Sequence, residues 1–164
     1  MATNRERALD AAIELLAHEG IRALTHLRVD ERAELPRGST SNAFRTRRAL
    51  LLGVCERMAR SELPVVGAGE GAANPDELVD ALVAAFEHMI GPGRETTSAR
   101  LALFVEAGHD HEIRAALARG RESVEGPLLR AFAALGAPDA AFAVQLVASC
   151  FEGMLLQALG RYAT

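Results

Sequence analysis

Residues 22–51 read RALTHLRVDERAELPRGSTSNAFRTRRALL, and this stretch decides the fold. Thr25 can cap a short helix that runs to about Ala33 and buries Leu27 and Val29 or their neighbours. Pro36 then forces a break, because proline lacks the backbone N–H that continues a helix and its ring crowds the preceding turn. Beyond it, Ser39 to Phe44 is long enough for a second short helix. Two short helices across a tight turn result.

Upstream, Thr3 and Glu6 have the spacing of a capping box, and Leu9, Ala12, Ile13 and Leu16 fall on one face, which predicts a long helix from about Asn4 to His18, ended by Gly20. Downstream, Leu50, Leu51, Val54, Cys55 and Met58 give a fourth helix from Arg47 that should end near Arg60, ahead of Pro64. Ser61 to Asn74, rich in Gly and Ala, reads as a loop. Asn74 as cap and Pro75 at the first helical position open a fifth helix with the stripe Leu78, Leu82, Phe86, Met89 and Ile90, stopped by GPGR at 91–94. A sixth helix covers about Thr97 to Ala107, with Leu101, Phe104 and Val105 as its apolar residues. A seventh runs from about Asp110 to Ala134 with Ile113, Leu117, Val124, Leu128, Leu129 and Phe132, bent or divided at Gly120 or Gly126-Pro127. The last helix runs from Pro138 to about Arg161, and its apolar residues cover more than one face, so it should pack against two neighbours, one of them open to a second subunit.

The chain is thus expected to be all-α. Of its 164 residues, 49% are hydrophobic, with six Phe, one Tyr and no Trp, a composition that favours helices over β-sandwiches. Its length supports a small head, residues 1–48, on a helical body, residues 49–164. No apolar run reaches the roughly 18 residues of a membrane span, and MATNRERALD lacks the apolar segment of a signal peptide, so a cytoplasmic protein with no membrane partner is expected. Cys55 and Cys150 both sit in apolar helical patterns and read as buried thiols.

Charge is uneven along the chain. Residues 1–60 carry eleven Arg against eight acidic residues, and residues 61–164 carry seven against fourteen, so the head is +3 and the body −7. A head that neutralises phosphates on a body that does not would have this sign. In a helix-turn-helix the second short helix enters the major groove, and the small polar side chains of Gly38 to Phe44 suit that role because they can bond base edges without holding the backbone away. Arg37 before it, and Arg45, Arg47 and Arg48 after it, are placed to meet phosphates. On spacing alone, a polar turn with a solvated Arg cluster accounts for the same residues.

Residues 5–58 resemble the DNA-binding region of the TetR family. RERALDAAIELLAHEGIRALT is similar to its first helix and the lead into the second, and RVDERAELPRGSTSNAFRTRRALL to its helix two, turn, recognition helix and start of helix four. The resemblance implies that Thr25 and Arg28 approach phosphates from helix two. It also implies that Arg37, Gly38, Ser39, Thr40, Ser41 and Asn42 form the recognition surface, that Phe44 anchors the short helix, and that Arg47 takes the place of a phosphate-binding Lys. The chain departs from the family pattern at Glu34, where glycine is usual, and at Ser41 and Ala43, where aromatic residues are expected.

The family's last two helices pair across a two-fold axis, which implies a homodimer with Leu128, Phe132, Phe142, Leu146, Ser149 and Gly153 as interface candidates. It also implies a small apolar or amphipathic effector, with Phe86, Met89, Leu103 and Phe104 as apolar walls and His88 and Glu106 as polar anchors, although such a lining also suits a plain core. His109, Asp110 and His111 are adjacent and point different ways, so they read as a capping turn, and no metal or cofactor is expected. No nucleophile elbow, P-loop or His-Glu-x-x-His is present, so no catalytic residue is assigned. The expected function is a dimeric repressor that binds double-stranded operator DNA and is released by its effector. The alternative is a helical protein-interaction module whose head has lost operator binding, to which Glu34 and Ala43 lend weight.

Overall fold

Thr3 and Glu6 form the expected capping box: the Glu6 N–H donates to Thr3 Oγ1 at 3.2 Å, and the Thr3 N–H donates to Glu6 Oε2 at 2.8 Å. They open α1 (Asn4–Glu19) in a computed structural model that describes residues 2–161. A 3-10 turn (Ile21–Ala23) leads to α2 (His26–Arg32), α3 (Ser39–Ala43), α4 (Arg47–Val66), a second 3-10 turn (Gly67–Gly69), α5 (Pro75–Ile90), α6 (Arg94–Ala107), α7 (His111–Ala134) and α8 (Ala140–Arg161). The fold is all-α, with no strand among the described residues.

The chain forms two compact units. The first takes in the chain up to Met58 together with Glu95–Ala118. Its core joins Leu9, Leu16, Leu24, Val29 and Phe44 with Leu50, Val54 and Met58 of α4 and with Ala99, Leu103, Ala107, Ile113 and Ala116 of α6 and the start of α7. The second takes in Ala59–Arg94 and the chain from Arg119 onward. Its core holds Leu78 and Met89 of α5, Leu128 and Ala131 of α7, and Val144 and Leu155 of α8, with Phe86 and Phe151 meeting edge to face at 5.6 Å. These packing units cut the chain elsewhere than the partition expected at residue 48.

Several elements differ from expectation for local reasons. α4 runs through Pro64 to Val66, since a proline this near the end removes one hydrogen bond from a turn that would fray anyway, so the loop expected from Ser61 starts later. α7 is one helix through Gly126 and Pro127. On α6 the buried side is Ala99, Leu103 and Ala107, while Val105 is 76% exposed. Five apolar residues in a row, Leu101–Val105, leave the inward face ambiguous, and Ala99 and Ala107, each four residues from Leu103, settle it by allowing close approach. Leu27 is exposed and Val29 buried. Cys55 is buried as expected, but Cys150 lies on the outer side of α8 and is exposed. Although polar residues interrupt its apolar runs, α8 as a whole is long and apolar enough to cross a membrane by length and composition.

Candidate nucleic-acid interface

α2 begins where Thr25 Oγ1 accepts the Arg28 N–H at 3.3 Å. It ends in a Schellman turn: Leu35 N–H donates to Asp30 O at 2.9 Å, Glu34 N–H to Glu31 O at 3.3 Å, and Glu34 takes the left-handed conformation, φ 51°. Arg7 of α1 steadies that turn, its Nη2 donating to Ala33 O at 2.7 Å and Glu34 O at 3.3 Å. Gly38 follows at φ 90°, where a side chain would be strained, and α3 starts. Phe44 ends α3 with its ring buried, and Arg5 lies 4.7 Å over that ring.

The candidates gathered at α3 separate into outward and inward groups. Arg37, Ser41, Asn42 and Arg45 are exposed, and among the described residues the side chains of Arg37, Asn42 and Arg45 make no hydrogen bond or ion pair. Ser41 Oγ donates to Gly38 O at 3.0 Å and Ser39 Oγ to Pro36 O at 2.6 Å, both within the turn. Thr40 corrects the expected recognition surface. It is fully buried and its hydroxyl donates to Asp30, because the helix must turn one face inward and Thr40 occupies it.

Three of the expected phosphate contacts, Arg28, Arg47 and Arg48, are engaged inside the chain. Arg47 Nε donates to Leu24 O at 3.0 Å and its Nη2 to Ile21 O, which fixes the segment between α1 and α2. Arg28 pairs with Glu19, and Arg32 with Glu14 and Glu19, while Arg48 pairs with Glu112 and, at 3.9 Å, Asp110. Thr25 stays exposed. Arg22, not singled out from sequence, is exposed and unpaired among the described residues, and only its place in the connection before α2 pointed to it. Asp30 and His26 were also missed: a charged residue beside the core residue Val29 was the available signal.

Asp110 caps α7, its Oδ1 accepting the Glu112 and Ile113 N–H groups at 2.9 and 3.2 Å, and these bonds hold its carboxyl below the ordinary aspartate range. Phe86, His88 and Met89 fall in the second unit, whereas Leu103, Phe104 and Glu106 fall in the first. Met89 and Leu103 are buried in the respective cores.

Along α8, Phe142 is 62% exposed, Leu146 53% and Leu156 60%, and Ser149 and Gly153 are exposed between them. Spacings of four, three, four and three give this exposed row the heptad pattern of a coiled-coil face. Leu128 and Phe132 do not join it. Leu128 is buried in the core of its own unit beside Ala131, Phe132 packs partly buried against that core, and Leu129 is exposed.

Residues 73–164 match the family model for a tetracyclin repressor-like C-terminal domain. Among solved structures, one described as a transcriptional regulator of Streptomyces coelicolor A3(2) is 26% identical, with a TM-score of 0.77 over 95% of this chain and 87% of that one. The multidrug binding protein EbrR, complexed with imidazole, is 26% identical, with a TM-score of 0.69 over 98% of this chain and 81% of that one. A transcriptional regulator from Rhodococcus sp. Rha1 shares the fold at 20% identity, with a TM-score of 0.83 over 96% of this chain and 84% of that one. Among curated protein sequences none matches.

Proposed function

We propose, from the premise that this chain belongs to the TetR family of transcriptional regulators, that it is a cytoplasmic, dimeric repressor that binds operator DNA through α3 and leaves it when a small effector binds the body. The family is non-enzymatic. The observation that carries the DNA-binding function is the outward group on and around α3: Arg37, Ser41, Asn42 and Arg45 are exposed, and three of these side chains have no partner within the described residues. Asn offers bidentate bonding to adenine and Arg to guanine or phosphate, which suits a major-groove contact. Arg22 and Thr25 extend the same reading toward phosphates, while Arg28 and Arg47 would have to leave their internal partners to do so.

Dimerisation is supported by the seam Phe142, Leu146, Ser149, Gly153 and Leu156. An apolar helix left this open by its own unit gains by pairing with a second copy, and small residues at two of its five positions admit a close approach. A two-fold dimer would present two copies of α3 to half-sites about one DNA turn apart. The multidrug binding protein EbrR supports a small apolar or amphipathic effector, which would act by favouring the separation of the two heads that fits the operator less well.

The test is selection of bound sequences from random duplex DNA by the purified protein at two salt concentrations. A palindrome whose binding weakens as salt rises is expected. A folded dimer that recovers nothing above background would remove this function and favour a protein-interaction module.

A further inference from the structure

α2 carries two polar side chains four residues apart, His26 and Asp30, and both reach α3. Such spacing puts them on one helix face. The Asp30 carboxylate, 2% exposed, accepts three hydrogen bonds: Oδ2 from the Gly38 N–H at 2.7 Å, and Oδ1 from the Thr40 N–H at 2.8 Å and the Thr40 hydroxyl at 2.6 Å. At the other end of α3, His26 Nε2–H donates to the Phe44 carbonyl at 2.8 Å. Asp30 also accepts the Leu35 N–H on its backbone carbonyl, closing the turn around Glu34. One residue therefore ties together the end of α2, the turn and the start of α3.

A helix of five residues cannot hold itself, because nucleation costs more than so few internal bonds return. Its orientation has to be imposed. Burying a carboxylate is costly, and an apolar side chain could fill the space without that cost. What the carboxylate adds is direction, since three donors converging on two oxygens fix both the depth of α3 and its rotation about its own axis. With Thr40 held inward, a residue two positions on lies about 200° around the helix, which puts Asn42 on the opposite face.

We propose that Asp30 is the positioning residue of the recognition helix: together with His26 it holds Thr40 inward and so presents Arg37, Ser41 and Asn42 to the groove. This rests on the DNA-binding function proposed above. Asp30 itself touches no DNA, and its part is to set which side chains do.

The test compares the full-length wild type with Asp30→Asn, Thr40→Val and Thr40→Ser. It reads affinity for the selected site, affinity for random duplex, and amide hydrogen exchange at Gly38 and Thr40. Asp30→Asn should lose roughly tenfold or more for the site, the scale of a lost base contact. Binding to random duplex should stay within about twofold, because phosphate attraction does not need α3 in register. Thr40→Val should move the same way and Thr40→Ser should restore wild-type discrimination. A role confined to stability would lower both affinities together. Unchanged discrimination in folded Asp30→Asn would overturn the proposal. Should that variant unfold, Thr40→Val decides by the same ratio. If the wild type selects no site, the proposed function fails separately and exchange judges the anchor: protection at Gly38 and Thr40 lost in Asp30→Asn supports it, and protection retained overturns it.

Discussion

Arg57 grips Asp10 with both prongs of its guanidinium, Nε donating to Oδ1 at 2.8 Å and Nη2 to Oδ2 at 3.1 Å, and so ties α4 to α1. Both side chains remain partly open to solvent, 34% and 47% exposed, so screening limits what the pair contributes. Asp10→Asn should destabilise the protein by about 1 kcal/mol or less, and the gap to wild type in a urea titration should shrink in high salt. A salt-independent loss would show that packing, not charge, is at stake.

Gly53 lies beneath the ring of Phe44. A Cβ there would stand 2.7 Å from Phe44 Cε1 and 3.1 Å from Leu9 Cδ2, and both of those side chains are buried. Alanine gains about 1 kcal/mol of helix propensity over glycine, but overpacking a filled core costs about 1–3 kcal/mol. Gly53→Ala should therefore be destabilising in thermal unfolding despite the better helix former, and a raised midpoint would show that the ring can move aside.

Glu34 holds φ 51° without being glycine. Relieving a left-handed non-glycine residue recovers about 1 kcal/mol, so Glu34→Gly should stabilise the protein. It should also tighten DNA binding by removing an exposed negative charge beside α3. Calorimetry and a salt-controlled binding titration read the two effects separately.

Burial pushes the Asp30 carboxyl up, but hydrogen bonds from the Thr40 side chain and from the Thr40 and Gly38 amides outweigh it, and the group lies below the ordinary aspartate range. A carboxyl depressed in the folded state adds stability above its unfolded pKa and loses it as pH falls through the folded value. Asp30→Asn should thus be less stable than wild type by about 1.5–3 kcal/mol at neutral pH, the worth of a hydrogen bond to a charged group. The gap should narrow as the solution is acidified below the normal aspartate range, and a gap independent of pH would rule out the ionised carboxylate as its source.

Leu146→Glu places a charge in the middle of the exposed seam of α8. Sedimentation should report a monomer with wild-type helix content, and binding to a palindromic site should fall with it. A dimer that survives would move the interface elsewhere.

The helix-turn-helix was legible in sequence because its signals are local. Thr25 caps, Pro36 breaks, and Phe44 is the one large apolar residue of its segment. Which way each polar residue turns was not legible. Thr40 and Asn42 look equally suited to bases, and only the carboxylate of Asp30, ten residues before Thr40, draws one of them inward. Arg47 and Arg45 likewise look alike, yet the carbonyls of Ile21 and Leu24 capture the first and leave the second free among the described residues. On α8 the open seam was half visible: Phe142, Leu146, Ser149 and Gly153 stay outside. Leu128 is buried and Phe132 partly buried in a core shared with α5 and α8, and no local signal on α7 shows which of its apolar residues that core takes.

Ala99, Leu103, Ala107, Ile113 and Ala116 complete a core that begins at Ala8 and Leu9. The consequence falls on synthesis. A nascent chain that has just released Met58 has α1 to α3 and most of α4 but lacks the side chains that finish their shared interior, and it must wait for Ala116 to leave the ribosome. Through that interval an apolar surface stays open to chaperones and to neighbouring chains, and a fragment cut at Met58 would carry the same opening permanently.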